Sequence, residues 1–310
     1  MRVIFMGTPN FAVESLRKLH ESHHEITAVV TATDKPQGRG RKIAPSPVKE
    51  AALEMNLPVL QPKNLKSANF IDKLKNFNPD LITVVAFRIL PEEVFSLPPR
   101  GSINLHASLL PRYRGAAPIN WALINGDTET GLTTFLLNKK VDTGAILLQR
   151  RIAIAPDDDS GSLHDKLMTA GADLLLETID GLESGALKPK PQSSEQASPA
   201  PKLTTETGRI SWQQPARDIV NLIRGLAPQP GAYGFLDGKK IIILKGRELA
   251  DDKDAEPGTI IKADKKTGLT IKCGQGAVEI IALKPQGKKA MGSEEYVRGN
   301  HVKIGGKFDT

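Results

Sequence analysis

Short apolar runs alternate with helix-period segments along the first 185 residues, and this rhythm leaves few architectures open. Val3 to Met6, Ile26 to Thr31, Leu57 to Leu60, Leu81 to Ala86, Ser102 to Leu105, Thr133 to Leu137 and Ile146 to Ile154 read as strands. Helical patterns separate them from about Phe11, near Val48 to Met55, Ala68 to Phe77 and Ile119 to Asn125, and from a cap at Ser162 through Leu182. Strand–helix alternation predicts an α/β domain with a mostly parallel sheet, because parallel neighbours need a crossover that a helix supplies. Between Lys188 and Thr207 the composition turns to Pro, Ser, Gln, Ala and Thr, which cannot bury a core. The expected organisation is therefore an α/β domain over 1–188, a linker over 189–207 and a second domain over 208–310. The stretch from Gln192 to Pro201 is the expected first site of proteolysis.

Beyond the linker an amphipathic helix carries Ala216, Ile219, Val220, Ile223 and Leu226 on one face. Strands near Ile241 to Leu244, Thr259 to Ile261, Leu269 to Lys272 and Val278 to Leu283 follow, separated by turns, and suit a small barrel. A chain of 310 residues accommodates two such domains. No uncharged apolar run approaches the roughly 18 residues of a membrane span, and the N-terminal apolar run is too short for a signal peptide. The lone Cys273 allows no internal disulfide, so a cytoplasmic location is expected. The formal net charge is +7, and residues 207–310 hold 18 Lys and Arg against 12 Asp and Glu, so most of the excess lies in the second domain. That balance permits a polyanionic partner.

The sharpest feature is Asn104-Leu105-His106 at a strand end, followed by Ala107 through Pro118. A strand repeats every two residues, so Asn104 and His106 project from one face, and the carboxyl edge of a parallel sheet is where such folds bind ligands. Farther on stands Val141-Asp142-Thr143-Gly144. An amide, an imidazole and a carboxylate complete an acyl-transfer site that needs no covalent nucleophile. An isolated strand-end histidine is more often a packing residue, and Asp-Thr-Gly is often a turn. As an aspartic protease signature, Asp-Thr-Gly would need two acids sharing a proton, and one copy in an α/β pattern does not fit. Gly7-Thr8-Pro9 lacks the later glycines of a dinucleotide-binding turn, so no nicotinamide cofactor is expected.

These residues resemble the methionyl-tRNA formyltransferase family over nearly the whole chain. The matching stretches are Gly7-Thr8-Pro9-Asn10-Phe11-Ala12, Asp34 through Lys42, Pro45-Ser46-Pro47-Val48, Asn104 through Pro118, Asp142-Thr143-Gly144 and Gly287 through Met291. The resemblance implies a Rossmann-like formyltransferase domain with a mostly parallel sheet and a C-terminal OB-like β-barrel. It implies Asn104, His106 and Asp142 as catalytic residues, and folate contacts from Phe87, Ile89, Ser108, Leu109, Leu110 and Pro111. It places Arg39, Arg41 and Lys42 against the tRNA acceptor end. The partners implied are 10-formyltetrahydrofolate as co-substrate and methionyl initiator tRNA, with no metal and no membrane; a monomer is expected. One stretch departs from the family pattern: Ala86-Phe87-Arg88-Ile89-Leu90-Pro91 is a residue shorter and lacks a glycine. The expected reaction is direct attack of the amine on the formyl carbon, with Asn104 and His106 stabilising the oxyanion and Asp142 handling the proton. Two alternatives stand beside it: formyl transfer to a small amine such as a nucleotide precursor or amino sugar, and RNA binding without catalysis. The intact catalytic three argue against the second.

Overall fold

The computed structural model describes residues 1–37, 42–251 and 254–309. In chain order the first elements are β1 (Arg2–Gly7), α1 (Val13–His20), β2 (Glu25–Val30), β3 (Lys35–Gln37), β4 (Lys42–Ala44), α2 (Pro47–Glu54), β5 (Val59–Leu60), α3 (Ala68–Asn76), β6 (Leu81–Val85) and α4 (Glu92–Phe95). Then come β7 (Ser102–His106), β8 (Arg114–Gly115), α5 (Pro118–Ile124), β9 (Glu129–Leu136), β10 (Ile146–Ala153), α6 (Ser160–Glu183) and β11 (Pro199–Ala200). The last are α7 (Ala216–Leu226), β12 (Ala232–Leu236), β13 (Lys239–Leu249), β14 (Ile260–Asp264), β15 (Gly268–Lys272), β16 (Ala277–Pro285), β17 (Met291–Gly292), α8 (Ser293–Gly299) and β18 (Phe308–Asp309). Two compact units result. One is Met1–Gly115, Glu129–Ala153 and His164–Ala200; the other is Ala116–Thr128, Ile154–Leu163 and Pro201–Thr310.

The first unit is built on a seven-stranded sheet in the order β10-β9-β7-β6-β1-β2-β5. From β7 to β5 all pairings are parallel. Val3, Ile4, Phe5 and Met6 of β1 are all fully buried, the continuous apolar run of a strand covered on both faces. On one face Ile4, Met6, Val30, Ile82 and Val84 pack with Phe70 and Leu74 of α3 and Val94 of α4. The run of parallel strands ends at β7, beyond which β9 and β10 pair antiparallel. Their connection is too short for a crossover helix, so it turns the chain straight back.

Two local expectations change. Asp34 to Val48 reads as irregular, yet β3 and β4 pair antiparallel within it, with Lys35 opposite Ala44. Asp34 anchors its base: Lys49 Nζ lies 2.6 Å away and Gln61 donates at 2.7 Å, and these partners hold its carboxyl below the usual range. Arg39 and Arg41 lie outside the described residues, and the backbone of Lys42 opens β4. The second change concerns α6, whose first turn is capped by Asp159 rather than Ser162. Asp159 Oδ1 accepts from Ser162 N at 2.9 Å while Ser162 Oγ accepts from Asp159 N at 3.1 Å, a reciprocal capping box one turn earlier than expected.

In the second unit α7 packs Ile219, Ile223 and Leu226 against Ile241, Ile243, Ile271, Val278, Ile280 and the fully buried Trp212. The sheet order is β14-β15-β16-β13-β12-β18, every pairing antiparallel, with β17 on β16. The two ends of this order meet. Thr259 and Lys307 form an antiparallel bridge, and Ile260 N donates to Gly306 O at 2.8 Å, so the sheet curls onto itself as a barrel does. Cys273 lies inside, and burial pushes its thiol up to about 12.

At the C-terminal end of α6, Glu183 and Asp180 face His23 and His24 of the α1–β2 turn. His23 Nε2 lies 2.8 Å from Glu183 Oε2, His24 Nε2 lies 2.9 Å from Asp180 Oδ1, and the Met1 nitrogen donates to Glu183 Oε1 at 2.9 Å. The His23 hydrogen bond, then that of Met1, lowers the Glu183 carboxyl to about 2. A depressed acid contributes stability above its ordinary value of 4.5 and loses it as pH falls toward 2. Because Glu183 is partly exposed, the contribution is screened. Thermal midpoints measured from pH 6 down to pH 3 should therefore fall more gently in Glu183→Gln than in the wild type; parallel curves would show that the cluster contributes nothing to acid sensitivity.

Candidate active site

The loops after β1, β6 and β7 leave the same carboxyl edge of the parallel strands, because Val85 pairs with Leu105 and Gly7 with Val85. Asn104 and His106 close that edge on β7. Asn104 is half-buried, and among the described residues nothing hydrogen-bonds its side-chain amide, so its two N–H donors are available.

His106 is 7% exposed, and its Nε2 lies 2.9 Å from Tyr113 O. A carbonyl can only accept, so Nε2 carries the proton and the ring is locked in one tautomer. Nδ1 then faces Asp142 Oδ2 at 3.9 Å. Asp142 Oδ2 in turn accepts from Gly115 N at 2.9 Å. The Asp142 loop leaves β9 at the end paired with Ile103, yet these contacts bring its carboxylate to His106 and the Tyr113–Gly115 turn. Gly144 makes the return tight: a Cβ there would sit 1.6 Å from Leu136 O, a backbone atom, so no other residue fits.

Backbone strain gathers in these loops. Ala86 (φ 48), Tyr113 (φ 60) and Asp142 (φ 53) all adopt the left-handed region. For alanine and tyrosine that region is uncommon, and such outliers cluster where function over-determines the backbone.

The expected folate contacts divide by burial. Phe87 is half-buried with the Arg88 guanidinium 5.1 Å from its ring centroid, and Ile89 is 77% exposed. Ser108 is fully buried and donates to Arg112 O at 2.6 Å. Leu110 is buried, its N–H donating to Thr133 Oγ1 at 3.0 Å and its carbonyl accepting from Gln149 Nε2 at 2.8 Å. Leu109 and Pro111 are half-buried. Ser108 and Leu110 thus shape the turn with their own polar groups, leaving Phe87, Ile89, Leu109 and Pro111 as the side chains with surface to offer.

Residues read as linker complete the site's frame. Ser198 Oγ accepts from Tyr113 N at 2.9 Å, Ser198 O accepts from Arg114 N at 2.9 Å, and β11 pairs with β8. Gln192 Nε2 donates to Asp142 O and Gly144 O, and its Oε1 accepts from Arg114. The sequence reading passes over these residues because a polar stretch without apolar period carries no sign of its partners.

Comparison with known proteins identifies the family. Residues 1–179 match the family model described as formyl transferase, and residues 202–301 the one described as formyl transferase, C-terminal domain. A methionyl-tRNA formyltransferase of Caldanaerobacter subterraneus subsp. tengcongensis is 50% identical over 307 residues, covering 98% of this chain and 99% of the relative. That of Thermodesulfovibrio yellowstonii is 46% identical, covering 98% and 97%. Among solved structures, Aquifex aeolicus HypX in complex with tetrahydrofolic acid superposes with a TM-score of 0.66 at 19% identity, over 96% of this chain and 47% of that one. The sugar 3N-formyl transferase WlaRD, solved with dTDP and 5-N-formyl-THF, gives 0.67 at 17% identity, over 93% and 99%. With both family models matched and relatives of this identity aligned nearly end to end, the chain belongs to the methionyl-tRNA formyltransferase family.

Proposed function

We propose that this chain transfers the formyl group of 10-formyltetrahydrofolate to the α-amino group of methionyl initiator tRNA, in the cytoplasm, during translation initiation. The observation that carries this reading is the Asn104, His106 and Asp142 group set in a chain whose whole length aligns with relatives of that name. The amine forms a bond to the formyl carbon as the carbonyl electron pair moves onto oxygen. Asn104, with free N–H groups, donates to that oxyanion. The amine loses one proton and N10 of the folate gains one as the C–N10 bond breaks, so the site has only to pass a proton on. With Nε2–H committed to Tyr113 O, the mobile proton of His106 sits on Nδ1, toward Asp142. An α-amine of ordinary pKa near 7.7 to 8.0 is already partly neutral at pH 7, so no strong base is required.

Phe87, Ile89, Leu109 and Pro111 would contact the folate, on a turn shaped by Ser108 and Leu110. Arg39, Arg41 and Lys42 would meet the acceptor end of the tRNA. The curled antiparallel sheet of the second unit, lysine-rich in sequence, would serve as an OB-like module on the tRNA. No helix among the described residues is long and apolar enough to cross a membrane.

Formylation of charged initiator tRNA with the folate donor tests the reaction; a chain that formylates only a small amine would overturn it. His106→Ala and Asp142→Asn should each lower kcat by roughly 10²–10³ with the fold intact. Asn104→Ala should lose about 3 kcal/mol of transition-state stabilisation, read from kcat/KM. Near-normal turnover would remove a residue from this scheme.

The Arg39→Ala, Arg41→Ala, Lys42→Ala triple variant should bind charged tRNA weakly and keep folate affinity. Its slope of log K against log salt should become shallower by roughly 0.7 to 0.9 for each phosphate the missing cations had neutralised. An unchanged slope would take these cations off the tRNA.

A further inference from the structure

Of residues 188–197, Gln192 alone is not exposed. Its side-chain amide spans two loops of the first unit. The oxygen accepts from Arg114 Nη2 at 2.7 Å and from Nε at 3.2 Å, a two-pronged contact that fixes which end of the amide faces which way. The nitrogen is thereby turned to the other loop, donating to Asp142 O at 3.0 Å and to Gly144 O at 2.8 Å. Both protons of one amide are spent on the carbonyls on either side of Thr143. The Thr143 hydroxyl is tied within its own loop, to Asn138 Oδ1 and Lys140 O. Asp142 stands in the left-handed region, which aspartate adopts more readily than most residues. Two residues before Gln192, Lys190 exchanges backbone hydrogen bonds with Ile146 at 2.7 and 2.8 Å, so the segment is pinned beside the loop it grips.

The geometry points to Gln192 as the positioning residue for Asp142: it clamps the Asp142–Gly144 turn to the Arg114 loop and so holds the carboxylate on Gly115 N and beside His106. The glutamine touches no reacting atom in this scheme and acts through Asp142. Its role in turnover rests on the proposed formyl transfer, while the clamp itself does not. Glutamine suits the task because it offers one acceptor for the guanidinium and two donors for the carbonyls at once. Glutamate keeps the acceptor and lacks both donors.

The test uses the full chain with Gln192→Glu and Gln192→Ala. Gln192→Glu retains the Arg114 partner, so a glutamine that merely tethered the segment would leave it active. The clamp predicts instead that both variants lose about 10–100-fold in kcat, the scale on which small misplacements of a reacting group tell, while KM for folate and for charged tRNA stays within about twofold. In the Asp142→Asn background Gln192→Glu should add less than about a further twofold, because a residue that acts through Asp142 has nothing left to position. Wild-type kcat in Gln192→Glu, a loss confined to KM, or a full multiplicative loss in the Asp142→Asn background would each overturn the proposal. Hydrogen exchange over residues 138–146 gives a readout independent of activity: faster exchange in Gln192→Glu is expected, and unchanged exchange would overturn the clamp. If the wild type formylated nothing yet this exchange still rose in the variant, the clamp would stand and the assigned reaction would fall.

Discussion

A single backbone carbonyl decides the state of the imidazole at this site. Tyr113 O takes the Nε2 proton of His106, and from that one bond follow the tautomer, the ring's orientation and the direction in which Nδ1 looks. Tyr113 offers its carbonyl from a left-handed conformation of the kind that costs about 1–3 kcal/mol. The cost is offset locally: Tyr113 is buried, 4% exposed, and its amide N–H is taken by Ser198 Oγ. Two residues on, Gly115 N holds Asp142. The turn from Tyr113 to Gly115 therefore sets both ends of the imidazole–carboxylate pair, and the rest of the site is arranged to keep that turn in place.

Much of this was legible in the residues themselves. The parallel strands announced themselves as unbroken apolar runs because both faces are covered, and Asn104 and His106 as strand neighbours on one face. Asp142 was legible as an acid in a loop entering a strand. What brings these three together was not. The Tyr113 carbonyl, the Gly115 amide and the Gln192 side chain act through contacts between residues far apart in the chain, and a backbone group carries no sequence label at all. Burial in the turn was equally hidden: Ser108 and Leu110 match a ligand-contacting segment, yet their polar groups are consumed by Arg112, Thr133 and Gln149.

The same contrast holds for the second unit. The strands β13 to β16 were visible as short apolar runs separated by turns. Those that complete the sheet were not: β12 is interrupted by Gly234, and β18 is two residues long. At the start of α6, a serine and an aspartate three residues apart are both good caps, and only the hydrogen bonds show Asp159 in the role.

The sheet edges bear on how this chain behaves when crowded. An open edge strand offers unpaired N–H and C=O groups on which a neighbouring molecule can add a strand, the first step toward aggregation. In the second unit the ends of the sheet meet through Thr259 and Lys307, which removes most of that opportunity. In the first unit one edge, β5, has only two residues. The other, β10, is capped at Ile146 by Lys190 and carries Arg150 and Arg151 along its length, charges that a second strand would have to desolvate. The polar segment that frames the candidate site thus also closes the first residue of that edge, where Ile146 would otherwise offer its backbone groups to a neighbouring molecule.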